Sequence, residues 1–537
     1  MRSLGRVLIL CLSVALCAAE AGSLPAATPP GASSSSANAA LRAAPDSALM
    51  AAAVNAFGLD LYRNLAAAHP REAIFFSPYS ILTALGMAAE GARGRTAAEM
   101  YAVLHLPAEE VVRHAGLVAS KRRFGALADT TAARRTDAAL DSLRAVASQF
   151  RRRVKVVRDS MFTPVDGARD HEAFQRLLAE SERLPGMQDD VAARIGELLG
   201  RRGPAALSVA NVLWVERTFP LAEPYLRAID LCYEPGSARP ANFIGDPGAE
   251  RLRINRWAEQ VTHARIKDLL PEGEITELTR IVLANAMYFR GEWRNQFRRS
   301  DTKEADFSLA AGKTVKVSMM GPYPGDVHYA AFHVDGSLFD TPANVRRGED
   351  TARCYPDSSG FAMVEIPYRE ERLSMVVIAP NRPDGLEAIE EMCDAETLAR
   401  WIQAGRKRPV ELYLPNFRSE TRYNLNETLA SMGMRSAFRS PGMPGGADFS
   451  GMAGSQEPNS QLFISLVAHR AFIQVNEEGT EAAAATAVEM ECLGSATDVG
   501  EMIPFIPVFR ADRPFLYLIR DTRTGVVLFL GRVMNPA

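Results

Sequence analysis

Few residues of this chain have the types and spacing that catalysis requires. The nucleophile turn G-x-S-x-G of the α/β-hydrolases is absent, and so are the H-E-x-x-H and C-x-x-C patterns. A phosphate-binding P-loop ending in Gly312-Lys313-Thr314 would need a glycine where Phe307 stands. The eight histidines are scattered, and no two have the i, i+3 or i+4 spacing of a helical metal site. We therefore expect a protein that is not an enzyme and that holds no metal or cofactor.

The composition of the chain limits the kinds of protein that it can be. The 537 residues are 47% hydrophobic and 23% charged, which is typical of globular protein. A net charge of −3 is too balanced for a dedicated nucleic-acid binder. The length allows two or three domains, or one large domain with insertions.

The first twenty-one residues predict secretion. A short basic start is followed by an apolar run at 7–19 that is too short to cross a bilayer comfortably, and then by Ala19-Glu20-Ala21, a signal-peptidase pattern. A buried N-terminal helix is the alternative, but nothing amphipathic supports it. We expect residues 1–21 to be a signal peptide, the mature protein to be extracellular, and no later segment to span a membrane. The cysteines that remain have no zinc spacing and do not require disulfides: Cys232, Cys354, Cys393 and Cys492.

The rest of the chain reads as a mixed α and β domain at 48–537 behind a leader at 22–47. The leader is low-complexity Pro, Ser and Ala sequence. Helical spacing then begins, with one apolar face formed by Met50, Val54, Phe57 and Leu61. Strand patterns follow at 373–379, 410–414, 472–476, 515–519 and 526–530, without regular βαβα alternation.

Two segments of this domain have the character of insertions. Residues 111–160 carry twelve Lys and Arg against four Asp, a local charge of +8. Leu140, Leu143, Ala147 and Phe150 have helical spacing, so part of the segment is a candidate amphipathic helix, whereas a solvated loop is the plainer alternative. Residues 332–358 are polar, lack apolar periodicity and predict a loop.

The segment 477–492 (EEGTEAAAATAVEMEC) alternates with period two. From Thr480 onward one face carries only small or apolar residues, whereas every charge falls on the other, beginning with Glu481. This alternation predicts a strand with one buried face. Four consecutive alanines favour a surface helix instead, so the segment alone leaves both interpretations open.

The segment also resembles the reactive-loop hinge of the inhibitory serpins, a family of serine protease inhibitors. Further resemblance, in the family's order, covers the chain from about residue 50 to 536 apart from the two insertions. The matching motifs are 75–81 (FFSPYSI), 91–97 (GARGRTA), 285–293 (NAMYFRGEW), 365–368 (EIPY), 414–417 (LPNF), 447–452 (ADFSGM), 469–472 (HRAF), 512–515 (DRPF) and 531–533 (GRV).

This resemblance implies an α+β serpin fold, with a large central sheet, surrounding helices and an exposed reactive-centre loop. It also implies a suicide mechanism, in which a serine protease cleaves the loop, remains acylated, and is trapped as the loop enters the sheet. The hinge residues carried over by the resemblance are Glu477, Gly479, Thr480, Ala482, Ala484 and Thr486. The residues of the shutter, where the central strands part, and of the breach above it are Ser77, Ser80, Asn285, His469 and Trp293.

The cleaved bond is located by counting residues. In the family that the chain resembles, the cleaved residue lies a fixed strand length beyond the hinge, and counting from Glu477 gives Leu493–Gly494. Counting back from residues 509–512 gives a bond near Gly500 instead, because this loop is several residues longer than is usual in that family. We favour the first count because the inserting strand must span the sheet, while its far side can lengthen. No Lys or Arg lies between Glu477 and Arg510, so the expected target is chymotrypsin-like or elastase-like rather than trypsin-like.

Other expectations concern partners. The resemblance places the basic insertion 111–160 near the site at which some serpins bind sulfated polysaccharide, which makes a polyanion a candidate ligand. A monomer is expected, without nucleic acid. The runner-up function is a carrier or chaperone on the same fold. Such a protein would be expected to tolerate charged or bulky residues on the inserting face, which here carries none.

Overall fold

The computed structural model describes residues 45–106, 205–233, 236–262, 264–309, 312–452, 462–480 and 501–537. The predicted signal peptide, nearly all of the leader and the basic insertion 111–160 lie outside these residues. So do five of the predicted site residues, namely Ala482, Ala484, Thr486, Leu493 and Gly494.

The main sheet has six strands in the order β14-β15-β16-β4-β2-β3. Their bounds are Ala205–Glu216 (β2), Ala238–Ala241 (β3), Ile281–Glu292 (β4), Phe417–Asn424 (β14), Ile464–Asn476 (β15) and Gly479–Thr480 (β16). The long strands β4 and β15 run parallel and pair directly from Ile281 to Tyr288 of β4. Above this stretch, β16 lies between them and is antiparallel to both.

A second sheet has eight strands, in the order β1-β20-β19-β11-β10-β7-β12, with β8 paired to β7. Their bounds are Ile74–Phe76 (β1), Asp326–Phe332 (β7), Leu338–Phe339 (β8), Phe361–Pro367 (β10), Leu373–Pro380 (β11), Arg406–Pro409 (β12), Phe515–Asp521 (β19) and Val527–Val533 (β20). Two smaller sheets are β18-β13-β6-β5 and β17-β9. Their strands are Lys303–Ser308 (β5), Thr314–Met320 (β6), Asn344–Arg346 (β9), Glu411–Pro415 (β13), Met502–Pro504 (β17) and Val508–Arg510 (β18).

Helices surround the sheets. The described helices are Pro45–Ala68 (α1), Pro78–Gly91 (α2), Gly94–Val103 (α3), Glu223–Cys232 (α4), Pro247–Val261 (α5), Leu386–Met392 (α6), Ala395–Ala404 (α7) and Asn426–Ser431 (α8). Their starts follow from local chemistry: Ser77 caps α2 ahead of Pro78, and Asp246 caps α5 ahead of Pro247. The predicted helical face beginning at Met50 lies in α1, which starts at Pro45, within the last residues assigned to the leader.

Alternation along β4 determines which layer each side chain enters. Leu283, Met287 and Phe289 face the large core that the sheets share with α1 and α2. Val282 and Ala284 face a smaller core under α5, against Ile254 and Trp257 of that helix. Both faces of β4 are therefore covered, so a strand entering beside it would find one inner and one outer apolar layer.

The predicted strands coincide with the observed β11, β13, β15, β19 and β20, except that the predictions for β13 and β20 begin one residue early, at Val410 and Val526. The interpretation of 332–358 as a loop was wrong in part, because this segment contains β8, β9 and a short 3₁₀ turn at Thr351–Cys354. Its few apolar side chains show no period of their own because they pack against residues far away in sequence, including Phe505. The three described cysteines, Cys232, Cys354 and Cys393, are buried and free of disulfides.

Candidate functional site

Two residues of the predicted hinge, Gly479 and Thr480, lie inside the main sheet. After β15 ends at Asn476, the chain turns and returns as β16, which places Thr480 opposite Val475 of β15 and Gly291 of β4. Gly479 pairs in the same way with Asn476 and Glu292. Gly479 and Thr480 thus separate β4 from β15 at the end of the sheet where β15 terminates, whereas the same two strands pair directly along the rest of their contact.

Gly479 is required by the close approach of the backbone. Its φ is 152°, and a Cβ there would lie 2.1 Å from the Gly291 carbonyl oxygen and 2.8 Å from the Glu292 Cα. Any other residue would have to push β16 away from β4. The glycine that the family resemblance places in the hinge therefore has a steric reason in this structure.

Thr480 is fully buried and faces the large core. Its hydroxyl lies 2.7 Å from the Tyr368 hydroxyl. Burial raises the pKa of Tyr368 well above its ordinary value, so this phenol stays neutral, while its hydrogen bond to Thr480 acts in the opposite direction. Thr480, the first residue of the predicted inward face, therefore points into the core as expected.

Trp293 holds the turn that leads into the hinge. Its indole nitrogen donates to the Asn476 carbonyl at 3.0 Å, and its backbone nitrogen donates to the Glu478 carbonyl, also at 3.0 Å. The indole stacks on the Tyr368 ring with centroids 4.7 Å apart. Trp293 therefore contacts both the turn and the residue beneath Thr480, and it fixes the corner from which the loop starts.

Two carboxylates anchor the same corner. Glu478 is almost fully buried and pairs with the Arg299 guanidinium, whose Nε lies 2.7 Å from the carboxylate. Glu477 accepts a hydrogen bond from the Thr302 hydroxyl at 2.8 Å and one from the Asn416 amide at 3.3 Å. Arg299 and Tyr368 received no role from the sequence. Tyr368 lies in a quoted motif, but its pairing with Thr480 depends on the tertiary fold.

A buried polar row crosses the main sheet lower down. Asn285 of β4 lies opposite His469 of β15 and opposite Asn211 of β2. His469 Nδ1 and the Asn285 side-chain oxygen are 2.5 Å apart, and the Asn285 amide donates to Asn211 and to the Ser80 hydroxyl, each at 2.5 Å. The row therefore links three neighbouring strands through side chains.

Helix α2 completes this row from below. The Ser80 hydroxyl donates to the Asn211 side-chain oxygen at 2.7 Å, and the Ser77 hydroxyl donates to the Leu528 carbonyl at 2.5 Å. The Ser77 backbone nitrogen donates to His469 Nε2 at 3.3 Å, so the ring carries its proton on Nδ1. Burial lowers the pKa of His469 to about 3, which keeps it neutral. The predicted residues Ser77, Ser80, Asn285 and His469 thus form one cluster.

The structure separates the predicted residues into two groups. Trp293 belongs with the hinge, eight positions beyond Asn285 on the same chain, or about 26 Å along an extended strand. Asn211 belongs to the polar row, although the sequence analysis did not select it. An amide amid the apolar residues around it in β2 was the available signal.

Neither group provides a set of ligands for a metal ion. Among the described residues, no group of three or more His, Cys, Asp or Glu could hold a metal ion. Within the same part of the chain, no helix is both long and apolar enough to cross a membrane. The arrangement instead provides a sheet whose two central strands are wedged apart at one end by the chain's own loop.

A fold of this kind, with Gly479–Thr480 paired between two strands of the main sheet, is that of the serpin class of proteins. The family model for serpins (serine protease inhibitors) matches residues 52–536. Human Serpin B3 is 33% identical over 465 residues, covering 86% of this chain and 93% of that protein. The chain belongs to the serpin family.

Solved structures agree on the fold. Uncleaved ovalbumin superposes with a TM-score of 0.60 at 24% identity, covering 91% of this chain and all of ovalbumin. Human thyroxine-binding globulin, solved in complex with its hormone, gives a TM-score of 0.59 at 22% identity over 92% of this chain and all of that one. The predicted α+β serpin fold is confirmed. Family membership supports a protease-inhibitor role in general, with proteases as partners and no catalytic activity of its own as the usual case.

Proposed function

We propose that this protein is a suicide inhibitor of serine proteases, which traps the acylated protease by inserting its cleaved loop between β4 and β15. The observation that carries the proposal is the position of Gly479–Thr480, already paired with both strands. Starting a new strand costs chain entropy before contacts repay it, and this start is in place. Insertion is then the extension of an existing pairing.

Continuing this register predicts the inserted state residue by residue. Thr480 pairs with Gly291 and Val475, so Thr486 would pair with Asn285 and His469. Asn285 and His469 already lie opposite each other, so both pairings agree on the same position. The Thr486 hydroxyl would arrive where the direct bond between these two side chains has to break, and it can hydrogen-bond either of them.

The same extension favours the first of the two counts for the cleaved bond. Met490 would pair with Ile281, where β4 begins, so the ladder would run from 480 to 490. Leu493 lies three residues past that end, whereas Gly500 lies ten past it. A protease acylated at Leu493 would be carried about 36 Å, the length of β4, from the hinge end of the sheet to the other.

The driving force follows from the change in pairing. The uncleaved protein has one parallel ladder between β4 and β15, and insertion would replace it with two antiparallel ladders. New backbone hydrogen bonds and the burial of the alternating small residues would both stabilise the inserted form. The uncleaved protein is therefore proposed to be kinetically trapped.

The direct test is incubation with chymotrypsin-like and elastase-like proteases, followed by SDS gel electrophoresis. A complex that survives SDS supports the proposal. Trypsin is the matched control, because residues 478–509 contain no Lys or Arg at which it could cut. Clean cleavage of the loop by the chymotrypsin-like and elastase-like proteases, with no complex, would overturn inhibition in favour of the carrier or chaperone alternative.

Secretion is a separate proposal, supported by the basic start, the apolar run at 7–19 and the cleavage pattern at 19–21. Expression in a secreting cell line should yield protein in the medium whose first residue is Gly22. N-terminal sequencing measures this. Protein retained in the cells with an intact N-terminus would contradict it.

A polyanion is proposed as a ligand of residues 111–160 because of their local charge of +8. Heparin affinity should fall when these residues are deleted, and binding should weaken as salt screens the charge. Equal salt of elution for both proteins would contradict the site. The protein is proposed to act as a monomer, which light scattering of the purified chain would check.

A further inference from the structure

The carboxyl-side stem of the reactive loop is held by the insertion at 332–358. Residues 502–504 form β17, which pairs antiparallel with β9, and Ile503 lies opposite Val345. Both ends of this ladder are closed by further backbone bonds. The Phe505 nitrogen donates to the Ala343 carbonyl at 2.9 Å, and the Arg347 nitrogen donates to the Glu501 carbonyl at 2.8 Å.

Side chains make the contact a small core of its own. Phe505, Val345 and Cys354 are buried together. The Tyr355 ring packs edge-on against Phe505 with centroids 5.5 Å apart, and its hydroxyl accepts from the Val508 nitrogen at 2.9 Å. We call residues 342–355, with Arg408, the stem clamp.

Arg408 ties the clamp to the eight-stranded sheet. From β12, its guanidinium donates to the Phe505 carbonyl at 2.6 Å and to the Pro342 carbonyl at 3.0 Å. The same group lies 5.8 Å from the centre of the Phe505 ring. One side chain thus binds both the insertion and the loop stem.

The stem clamp lies at the hinge end of the main sheet. The Pro507 carbonyl accepts from the Glu411 nitrogen of β13 at 2.9 Å, so the stem runs directly into the sheet of β13 and β18. At its other end β13 leads into Asn416, whose amide contacts Glu477 of the hinge. An uncleaved loop that entered the main sheet would therefore have to return to this end.

Chain length decides whether an uncleaved loop can make that return. After insertion as far as Met490, the path back along β4 is about 36 Å, and crossing to the neighbouring sheet adds about 10 Å. From Met490 to Met502 an extended chain reaches at most about 43 Å, and from Met490 to Val508 about 65 Å. The path of roughly 46 Å is therefore longer than an extended chain from Met490 to Met502 but shorter than one from Met490 to Val508.

We propose that the stem clamp takes up the extra length of this reactive loop, so that the loop can enter the sheet only after cleavage. The biological purpose of the stem clamp rests on the proposed inhibitory function, whereas its effect on insertion of the uncleaved loop does not. Cleavage at Leu493 would separate the inserting strand from the clamp and so remove the restraint. A clamp that opened would let the intact loop insert and would inactivate the inhibitor without any protease.

The test replaces Phe505 by alanine and follows the uncleaved protein during incubation at physiological temperature. Two readouts are the rate at which the loop becomes resistant to chymotrypsin and the rate at which a form with a higher melting temperature accumulates. We expect Phe505→Ala to convert roughly tenfold faster than the wild type or more. Met502→Ala is the matched control, since Met502 lies in the same strand with its side chain exposed, and it should convert at the wild-type rate.

A compensating deletion separates the length mechanism from general destabilisation. Removing residues 495–500 from Phe505→Ala shortens the reach from Met490 to Val508 to about 43 Å, so the wild-type rate should return. If Phe505→Ala fails to fold, Arg408→Met takes its place, because it removes the two hydrogen bonds that Arg408 donates within the clamp. Conversion of these variants at the wild-type rate, or no rescue by the deletion, overturns the clamp.

The outcomes also separate this inference from the proposed function. Conversion of the uncleaved variant needs no protease, so accelerated conversion together with clean cleavage of the wild type would refute inhibition and leave the clamp standing. Normal complexes of the wild type together with an unaccelerated Phe505→Ala would do the reverse.

Discussion

Replacing Thr480 by arginine tests the inward face of the loop at the residue where the structure defines it. Thr480 is fully buried, its hydroxyl lies 2.7 Å from that of Tyr368, and strands flank it on both sides. An arginine here would have to place its guanidinium in the core beneath the hinge or drive β16 out of the sheet. Either outcome removes the start from which insertion extends.

The magnitude follows from the burial. Losing the hydrogen bond to Tyr368 costs about 1 kcal/mol, and burying an unpaired charge costs several kcal/mol more. If about 3 to 4 kcal/mol of this total raises the barrier to insertion, insertion slows by a factor of about 10² to 10³. Hydrolysis of the acyl-enzyme would then finish first. We therefore expect the variant to be cleaved as a substrate, with binding to the protease preserved.

The assay titrates a chymotrypsin-like protease with each variant and measures the ratio of SDS-stable complex to cleaved inhibitor. Glu481→Arg is the matched control, because the same side chain one residue later falls on the outward face and should leave complex formation intact. Wild-type complex formation by Thr480→Arg would refute the register. Equal loss of complex in both variants would refute the distinction between the two faces.

Three further predictions follow from the same geometry. Cleavage of the loop should raise the melting temperature sharply, because a new strand adds ladder hydrogen bonds, and equal melting of cut and intact protein in calorimetry would contradict this. Leu493→Arg should create an inhibitor of trypsin, with mass spectrometry locating the cut after residue 493, and a cut near Gly500 would show the other count to be right. Burial lowers the pKa of His469 to about 3, whereas the ordinary pKa of histidine is about 6.5, so between these pH values the unfolded state binds one more proton than the folded state. The free energy of unfolding should therefore fall as the pH falls from about 6.5 to about 3, by at most about 1.4 kcal/mol per pH unit. Urea unfolding at two pH values should show a smaller loss for His469→Gln, and an equal loss would remove His469 as the cause.

The sequence was most informative where the pattern of neighbouring residues determines the local structure. Period-two alternation predicted which face of the hinge turns inward, and Thr480 has that orientation. Apolar runs predicted β11, β19 and β20, which are buried along nearly their whole length. These features depend on neighbours in sequence, so a reading along the chain can find them.

Features that depend on distant partners were missed. Residues 332–358 have no strand pattern of their own, because β9 has only three residues and its partner β17 lies more than 150 residues later. Asn211 and Arg299 have roles only because β4 and the turn at Glu478 come to lie beside them. Nothing in the local pattern distinguishes such an amide or guanidinium from a solvated one.

In the proposed mechanism, the hinge and the polar row would have different roles in keeping the sheet closed until the loop is cleaved. At the hinge the cost of beginning a strand is already met, because Thr480 is paired on both sides. Six residues further on, the extending loop would reach Asn285 and His469, whose buried hydrogen bond must break before a replacement can form. A buried polar group left unpaired is expensive, so the barrier to insertion belongs at this row rather than at the hinge. The Thr486 hydroxyl would lower the same barrier only if the chain advanced that far, and the length of chain available would depend on whether the loop is still joined to its carboxyl-side stem.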